Sequence, residues 1–475
     1  MKNYVEINQK IKKFNKIISI PGDKSISIRF VLMAAMGLGV SRAYGLLSSD
    51  DVNASLKAIS KLGIRVYKKK KYVEVIGQGL RGFAFKNKTV INCQNSGTLM
   101  RLIGGLVCKS KNSVVLKGDH SLSQRPVRII EPLNLMGVNV KSKNNKLPIE
   151  IIGTDYLRPI QYKEINGSAQ IKTLCCLCAL NTPKNSISNI IAKNSRDHTE
   201  KLFKYLKIPI KIKKKGIYNF IEIKGGYQHN GFVQEIPGDI SSASFFICLT
   251  LLSKNSSIII KNVNVNKTRT GIIDLAKKIC PNSIKIKNKK INNGEDVADI
   301  YVKSSKKFKA ITPDPSINSK VIDEFPLIFL LVCKSSKISY FRGISELAHK
   351  ESNRLKVCAN FLKQIGLEKR ADIISGQLSH GEHRQLEIAM ALATNPKILL
   401  LDEPMAGIGA EESKRIVGIL KKLKKKLTIL LVEHDMDVVF TLADKITVLV
   451  YGKVVATDLP EVIKNNAEIQ AAYLG

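Results

Sequence analysis

The sequence predicts an α/β protein built from repeated β/α units, and three observations support this prediction. A short β-rich run, a polar glycine loop and an apolar helix-like segment follow one another four times along residues 16–252. The loops at 21–25 and 237–241 share the frame Pro-Gly-Asp-x-Ser, which indicates two related lobes. Beyond Gly366, wholly apolar strands alternate with amphipathic helices, which is typical of a parallel sheet covered on both faces.

The repeats keep one order of elements and differ mainly in their loops. KIISI and the loop 21–25 precede the helix-like RFVLMAAMGLG, and VINC with the loop 94–98 precedes LMRLIGGLVC. The loop 166–170 then precedes IKTLCCLCAL, and the loop 237–242 precedes ASFFICLTLL. Each glycine ends an extended run, so each loop is expected to begin a helix.

Length and composition indicate a soluble protein of two or three domains. The chain has 475 residues, of which 44% are hydrophobic and 24% are charged. The longest apolar runs, such as Phe30–Val40, are broken by glycine or charge before they could cross a bilayer. The first residues lack the apolar region of a secretory signal. We therefore expect a cytoplasmic protein without direct membrane insertion.

The net charge of +38 raises the possibility of a nucleic-acid partner. Lysine runs are scattered over the chain, at 68–71, 213–215 and 424–426 among others, and aromatic residues make up only 6% with no tryptophan. Without a stacking platform beside the basic runs, solvated lysine faces are the better interpretation, and we expect no nucleic acid. A basic cleft for small anions fits either interpretation.

Nine cysteines include a cluster at Cys175, Cys176 and Cys178, within an apolar helix-like run that has no histidine or aspartate nearby. Buried thiols in a reducing compartment explain this cluster better than a metal site. We expect no metal and no cofactor.

Each glycine loop delivers a Ser, Thr, Lys or Asn to the first turn of a helix. Free backbone N–H groups and the helix dipole make such a turn a site for anions, although Ser or Thr there often serves only as an N-cap. Cations close to the loops or farther along the chain favour phosphate or carboxylate ligands. These cations are Lys24, Arg29, Arg101, Arg125, Arg196, Lys350 and Arg354.

A second group of candidate residues is acidic. Asp323 and Glu324 come directly before an apolar helix, and residues 349–354 interleave acid and base as His-Lys-Glu-Ser-Asn-Arg. Two carboxylates beside phosphate-binding cations could act as general base and general acid. A surface helix with i,i+4 pairing is the alternative, and spacing alone leaves both open.

Eight motifs follow one another between residues 21 and 354. They are PGDKSISIR (21–29), NSGTLMR (95–101), QRPVRI (124–129), GSAQIKT (167–173), SRDHTE (195–200), GDISSAS (238–244), IDEFP (322–326) and ELAHKESNR (346–354). They resemble, in order, the motifs of the EPSP synthase (3-phosphoshikimate 1-carboxyvinyltransferase) family. The related family that transfers enolpyruvyl to UDP-N-acetylglucosamine lacks SRDHTE and KES-x-R, so it fits less well.

The resemblance implies a two-lobed enolpyruvyl transferase fold with three β/α units in each lobe. One complete lobe is expected at 21–235, and a truncated lobe at 1–20 plus 236–366. The implied reaction transfers the enolpyruvyl group of phosphoenolpyruvate to the 5-hydroxyl of shikimate 3-phosphate, a step of aromatic amino-acid biosynthesis. We expect a monomer.

The resemblance also implies site residues. Asp323 would take the proton of the 5-hydroxyl, and Glu351 with Lys24 would serve proton transfer at C3. The implied ligands of shikimate 3-phosphate are Lys24, Ser25, Arg29, Ser168, Ala169, Gln170, Arg196, Asp323 and Lys350. Those of phosphoenolpyruvate are Lys24, Asn95, Gly97, Thr98, Arg125, Gln170 and Arg354.

The chain departs from the family at several positions. Ala348, Asn353 and Ile28 replace the usual Arg, Asp and His or Asn. The final β/α unit, with its Asp-His-Arg motif and late lysine, is missing, and we interpret the similar Glu382-His383-Arg384 as a coincidence. We therefore expect binding of shikimate 3-phosphate with impaired turnover.

Residues 367–475 contain the segments LSHGEHRQLEIAMALATNPKILLLDEPMAGI and LVEHD. The first resembles the signature loop, Walker B strand and D-loop of ABC transporter ATPases, and the second resembles their switch-histidine strand. Residues 367–475 therefore resemble the carboxy-terminal half of these ATPases, and especially of those in branched-chain amino-acid importers. The resemblance implies a partial P-loop NTPase-like domain. Its implied site residues are Ser379, Gly381, Asp402, Glu403 and His434.

No G-x-x-x-x-G-K-[S/T] phosphate loop occurs in the chain, so this segment should not hydrolyse ATP by itself. Two alternatives to the impaired transferase remain open. One is an ATP-binding subunit of an ABC amino-acid transporter that obtains a phosphate loop in trans. The other is a non-functional fusion or assembly chimera of two partial genes, with its seam in FLKQIGLEKRAD.

Overall fold

The computed structural model describes residues 12–345, 347, 380–392, 398–450, 453–467 and 469. The chain divides into two compact units, Met1–Val332 and Cys333–Gly475. Along the described part of the chain, no helix combines the length and the apolar character that a membrane crossing requires.

The first unit alternates strands and helices, as the repeats predict. Its strands are β1 Asn15–Ser19, β2 Leu38–Tyr44, β3 Arg65–Lys68, β4 Tyr72–Gln78, β5 Thr89–Asn92, β6 Val114–Lys117, β7 Asn139–Lys143, β8 Lys146–Ile152, β9 Gln161–Glu164, β10 Ile187–Lys193, β11 Ile210–Lys215, β12 Tyr218–Lys224, β13 Val233–Glu235, β14 Ser257–Asn264, β15 Ile284–Asn292 and β16 Glu295–Lys303. Its helices are α1 Lys24–Met36, α2 Asp50–Lys61, α3 Gly97–Leu102, α4 Gly104–Val107, α5 His120–Ser123, α6 Ile130–Leu135, α7 Ala169–Leu180, α8 His198–Tyr205, α9 Ile240–Leu252, α10 Gly271–Ile279, α11 Asn318–Val321 and α12 Phe325–Val332.

Four sheets of four strands share one topology, which confirms the repeated β/α units. In each sheet a parallel pair is extended by an antiparallel hairpin, as in the orders β5-β6-β8-β7 and β9-β10-β12-β11. Helices connect the parallel strands, because two parallel neighbours need a crossover between them.

The other two sheets exchange their first strands. Strand β1 leads into α1 but pairs with β14, in the sheet β1-β14-β16-β15. Strand β13 leads into α9 but pairs with β2, in the sheet β13-β2-β4-β3. The chain therefore crosses between two groups of units twice, once after β1 and once after β13.

One continuous core of buried side chains runs from Ile26 to Ile236. Within it α1 is buried from Ile26 to Met36 and α7 from Ile171 to Leu180, so both helices are surrounded on every side. Cys175, Cys176 and Cys178 are buried thiols of α7, as predicted, and burial raises the pKa of the Cys176 thiol well above its ordinary value.

The group of units that contains α9 is less fully packed. Phe245, Phe246 and Leu249 of this apolar helix remain exposed, Phe245 by 63%. Residues 304–345, all of which the structure describes, contain α11, α12 and a short 3-10 helix but no strand. The described part of this lobe therefore contains one complete sheet.

The second unit contains two small sheets and four helices among its described residues. A core of apolar side chains lies between β17 and the first three of these helices. The elements are α13 His380–Leu392, β17 Ile398–Asp402, α14 Ala410–Leu423, β18 Thr428–Val432, α15 Met436–Leu442, β19 Ile446–Val450, β20 Lys453–Asp458 and α16 Pro460–Lys464.

Strands β17 and β18 pair in parallel, as predicted, but the prediction that both faces are covered is wrong. Leu399 is buried under the helices, whereas Leu400 and Leu430 on the opposite face are 53% and 60% exposed. No helix of the described residues covers that face. An apolar sequence predicts a strand, but each face of the strand is buried only if other elements pack against it.

Gly22 lies at the first chain crossing and leaves no room for a side chain. A Cβ there would lie 2.1 Å from the carbonyl oxygen of Gly45 and 2.9 Å from Ile236 Cγ2. Because the backbone at Gly45 cannot retreat as a flexible side chain could, Gly22→Ala should lower the free energy of unfolding by about 2–3 kcal/mol. Urea unfolding measures this change.

The control is Gly418→Ala, inside α14, where an added Cβ meets no atom within 4 Å. Alanine is the better helix former, so this variant should be unchanged or slightly more stable. Equal losses of stability in the two variants would contradict the crowding at Gly22.

Candidate active site

The four glycine loops begin helices, and the N-cap interpretation of their polar residues is confirmed. Ser96 Oγ accepts a hydrogen bond from Leu99 N at 3.3 Å, and Ser168 Oγ accepts one from Ile171 N at 3.3 Å. Asp23 and Asp239 cap α1 and α9 in the same way. The remaining N–H groups and the positive end of each helix dipole still favour an anion near these loops.

Two arginines flank the start of α3. Arg125 Nη2 donates to Asn95 Oδ1 at 2.5 Å and to Ser121 Oγ at 3.0 Å. A Cβ at Gly97 would lie 3.3 Å from Arg101 Nη1 and 3.7 Å from Arg125 Nη1. The two guanidinium groups thus lie close to the backbone at Gly97. This arginine pair at the start of α3 favours an anionic ligand such as a phosphate or a carboxylate.

Gln170 joins this arginine pair to α7. Its Nε2 donates to Thr98 Oγ1 at 2.8 Å, and its Oε1 accepts from Arg101 Nη1 at 2.5 Å. Residues assigned by resemblance to the two substrates are therefore neighbours here, because Ser168 and Ala169 begin the same helix as Gln170.

Arg29 connects three helices from a buried position. Its Nε donates to Thr199 Oγ1 at 2.8 Å, its Nη2 to Thr173 Oγ1 at 3.1 Å and its Nη1 to the carbonyl oxygen of Ser25 at 3.0 Å. Burial lowers the pKa of this guanidinium, and the charge of Glu200 opposes the shift. Arg29 and Ser25 thus hold each other in place, and their contact with a substrate stays a prediction.

Arg196 and Asp323 form the central ion pair of the candidate site. Arg196 Nη2 lies 2.5 Å from Asp323 Oδ2, and both side chains are partly exposed. The pair joins the loop before α8 to the segment before α12. The predicted cation for shikimate 3-phosphate and the predicted general base therefore lie side by side and can be reached from solvent.

A fully buried lysine supports Arg196 from below. Lys172 Nζ donates to the carbonyl oxygen of Arg196 at 2.9 Å and pairs with Glu200 Oε1 at 2.6 Å. Neither side chain of this pair is exposed by more than 5%. The pair fixes the backbone that presents the Arg196 guanidinium.

Lys24 is the first residue of α1, and its side chain is half exposed. Its Nζ lies 4.0 Å from Asp51 Oδ2, while its backbone N–H donates to Asp239 Oδ2 at 3.1 Å. The backbone is therefore fixed by a residue from the other chain crossing, and the side chain is available for a ligand.

Several predicted residues lie outside the described part of the chain. These are Lys350, Glu351, Arg354 and Ser379, together with the family departures at Ala348 and Asn353. Their roles stay predictions.

In the second unit, Glu403 and His434 lie close together, and their roles in an ABC-type site stay predictions. Asp402 ends β17, and Glu403 follows it with a positive φ of 45°. His434 Nδ1 lies 3.7 Å from Glu403 Oε1, and both side chains are exposed. Gly381 lies within α13.

The SRDHTE motif and Lys201, which follows it, make contacts that the sequence did not reveal. His198 Nδ1 lies 2.7 Å from Glu295 Oε1, and Lys201 Nζ lies 2.7 Å from Asp296 Oδ2. Burial opposes ionisation of Glu295, but contacts led by His198 lower its pKa. These contacts anchor α8 to β16. The motif was recognisable, but no pattern in the sequence pointed to the partner strand.

Comparison with known proteins places this site in a family. The model of the EPSP synthase (3-phosphoshikimate 1-carboxyvinyltransferase) family matches residues 8–394. The chain belongs to the EPSP synthase family. It is thus a member of a transferase family, and the match continues past the boundary near Gly366 that we predicted, through Glu382-His383-Arg384. The interpretation of that segment as a coincidence stays a hypothesis.

Relatives agree with this assignment. The 3-phosphoshikimate 1-carboxyvinyltransferase of Thermodesulfovibrio yellowstonii is 37% identical over 366 residues, which are 76% of this chain and 84% of the relative. That of Petrotoga mobilis is 35% identical over 406 residues, 81% of this chain and 92% of the relative. A solved EPSP synthase of Acinetobacter baumannii has a TM-score of 0.66 at 32% identity and covers 74% of this chain and 79% of that protein.

The buried Lys172–Glu200 pair gives a stability prediction for this EPSP synthase family member. Lys172→Met leaves the Glu200 carboxylate buried without its cation, so it should lower the free energy of unfolding by about 3–5 kcal/mol. Replacing both residues, as Lys172→Met with Glu200→Leu, should recover much of that loss. Denaturant unfolding of the three proteins tests this, and an additive loss in the double variant would refute the pairing.

Proposed function

We propose that this chain transfers the enolpyruvyl group of phosphoenolpyruvate to the 5-hydroxyl of shikimate 3-phosphate. The observation that carries the proposal is the Arg196–Asp323 pair, which combines a phosphate-binding cation with an accessible carboxylate. Support also comes from the Gln170 contacts, because they connect α7 to the arginine pair at the start of α3.

The proposed chemistry requires two anions to meet. Both substrates carry phosphate and carboxylate groups, so they repel each other in water. Arg101 and Arg125 would hold phosphoenolpyruvate, while Arg196 and Lys24 would hold shikimate 3-phosphate. Fixed cations offset the repulsion and orient the reacting atoms, and a closed cleft excludes water.

The proton path uses the carboxylate of Asp323. As the 5-hydroxyl oxygen bonds to C2 of phosphoenolpyruvate, Asp323 would accept the hydroxyl proton, and C3 would gain a proton from Lys24 or Glu351. The tetrahedral intermediate would then lose phosphate from C2 and a proton from C3, which restores the enol double bond. Glu351 lies outside the described residues, so its part rests on the resemblance alone.

Because we expect the final β/α unit of the family to be missing, we propose weak turnover. The expected final unit would supply further cations on the phosphoenolpyruvate side, whereas the group assigned to shikimate 3-phosphate lies mainly in the lobe at 21–235. Binding of shikimate 3-phosphate should therefore survive better than catalysis.

Calorimetric titration with shikimate 3-phosphate tests the binding site. Arg196→Ala should weaken binding at least about tenfold, because a hydrogen bond to a charged group contributes about 1.5–3 kcal/mol. Arg65→Ala, an exposed arginine of β3, is the control and should bind like the unaltered chain. Equal affinities in all three proteins would contradict the assignment of Arg196.

Phosphate release from both substrates together tests the predicted impairment. We expect a rate far below the ~10 s⁻¹ that is typical of enzymes. Release at that typical rate would contradict the predicted impairment.

A second proposal concerns residues 367–475, which we infer to be part of an ABC-type ATPase. It is supported by the 3.7 Å approach of His434 to Glu403 at the end of the parallel strands. Since the chain lacks a phosphate loop, the full chain should show no ATP hydrolysis. Hydrolysis that is lost in Glu403→Gln would overturn this expectation and favour a transport ATPase.

The third candidate is an artefact in which two partial genes were joined, and sequencing of the DNA tests it. Independent sequencing of genomic DNA through codons 355–375 should yield one continuous reading frame if the joining of the two segments is genuine. A break or a frameshift there would establish a chimera.

A further inference from the structure

The two Pro-Gly-Asp loops, far apart in sequence, meet at the chain crossings. Gly22 and Gly238 form an antiparallel bridge. Asp23 N donates to the carbonyl oxygen of Pro237 at 2.8 Å, and Asp239 N donates to that of Pro21 at 3.0 Å. Each loop therefore fixes the backbone of the other at the point where a helix begins.

The side chain of Asp239 extends this exchange to a candidate catalytic residue. Its Oδ1 accepts from Ser241 N at 2.7 Å, which caps its own helix. Its Oδ2 accepts from Lys24 N at 3.1 Å, at the start of the other helix. The orientation of Lys24 thus depends on a carboxylate that comes from the second loop.

Arg269, in the loop between β14 and α10, connects both carboxylates. Its Nη1 lies 3.5 Å from Asp23 Oδ2, and its Nη2 lies 3.4 Å from Asp239 Oδ1. The same Nη2 donates to Ser241 Oγ at 2.8 Å. Ser241 Oγ in turn donates to Glu324 Oε1, and Glu324 is the neighbour of Asp323. We call Asp23, Asp239, Ser241 and Arg269 the arginine clasp.

Burial makes the clasp sensitive to the charge and shape of residue 269. Arg269 is 3% exposed and Asp23 is fully buried. Burial opposes ionisation of Asp239, but Arg269 and the donated backbone hydrogen bonds lower its pKa. Burial also opposes the charge of Arg269, while Asp23 and Asp239 raise its pKa. Two buried carboxylates without this cation would be strongly unfavourable.

We propose that Arg269 is a positioning residue for the transferase reaction. Through Asp239 it fixes Lys24, and through Ser241 and Glu324 it fixes the segment that carries Asp323. The inference rests on the proposed function, because Lys24 and Asp323 are assigned there. Lysine cannot replace the arginine fully, since a point charge on a flexible stem cannot reach both carboxylates as a planar fork does.

The variant Arg269→Lys keeps the positive charge and removes the planar guanidinium group that reaches both carboxylates. Its circular dichroism should match that of the unaltered chain. Amide exchange in the peptide 22–27, measured by mass spectrometry, should become faster because the Lys24 N–H loses its fixed acceptor. Shikimate 3-phosphate should bind about tenfold more weakly, as expected for misplaced ligating groups.

Arg42→Lys is the matched control. Arg42 pairs with Glu74 at 2.8 Å on the surface of the β2–β4 pair, away from the clasp. This variant should leave both the amide exchange of the peptide 22–27 and the binding of shikimate 3-phosphate unchanged.

A purely structural role for Arg269 predicts a different result. Arg269→Lys would then have a lower melting temperature with an unchanged dissociation constant for shikimate 3-phosphate, and that outcome overturns the proposal. If the unaltered chain itself does not bind shikimate 3-phosphate, the proposed function fails. The exchange rate at Lys24 still decides in that case whether the clasp holds this residue.

Ser241→Ala keeps every buried charge and provides a second test if Arg269→Lys does not fold. It removes the hydroxyl that accepts from Arg269 and donates to Glu324, so the clasp loses its connection to the segment of Asp323 and shikimate 3-phosphate binding should weaken about threefold. Unchanged binding in a folded Ser241→Ala would overturn the connection between the clasp and Asp323.

Discussion

The compact unit Met1–Val332 depends on one constraint, which is that two of its sheets exchange their first strands, β1 and β13. Each strand pairs in one sheet and leads into the helix of another, so neither group of units can be completed without the other. Gly22 and Gly238 allow the two backbones to approach closely at this point. The helices that begin after the crossings present their positive ends beside the residues assigned to the substrates.

The positions of the cations explain why the candidate site lies at the helix starts. Cations from different β/α units lie near helix starts because each of these units begins a helix at the same end of its parallel strands. Arg101 reaches Gln170 from α3, and Arg196 reaches Asp323 from the loop before α8. Buried pairs such as Lys172–Glu200 support this surface without facing the substrate. The buried ion pairs therefore hold the backbone in place, whereas the accessible charges are available to a substrate.

The sequence revealed much of this arrangement, because glycine loops and apolar helices leave local patterns. The repeats, the parallel pairing of β17 with β18 and the caps at Ser96 and Ser168 all follow from such patterns. Arg269 could not be found in this way, since a single arginine in a polar loop looks like any solvated side chain. The exposed face at Leu400 was also unpredictable, because a strand's own residues do not specify what covers it.

The apolar face of α9 has a consequence for handling the protein. Phe245, Phe246 and Leu249 form an exposed apolar patch, and such patches favour self-association. The net charge of +38 opposes that tendency through mutual repulsion of the molecules. Added salt screens the repulsion and leaves the patch untouched. Unlike many basic proteins, this one should therefore remain dispersed in dilute buffer and precipitate as ionic strength rises.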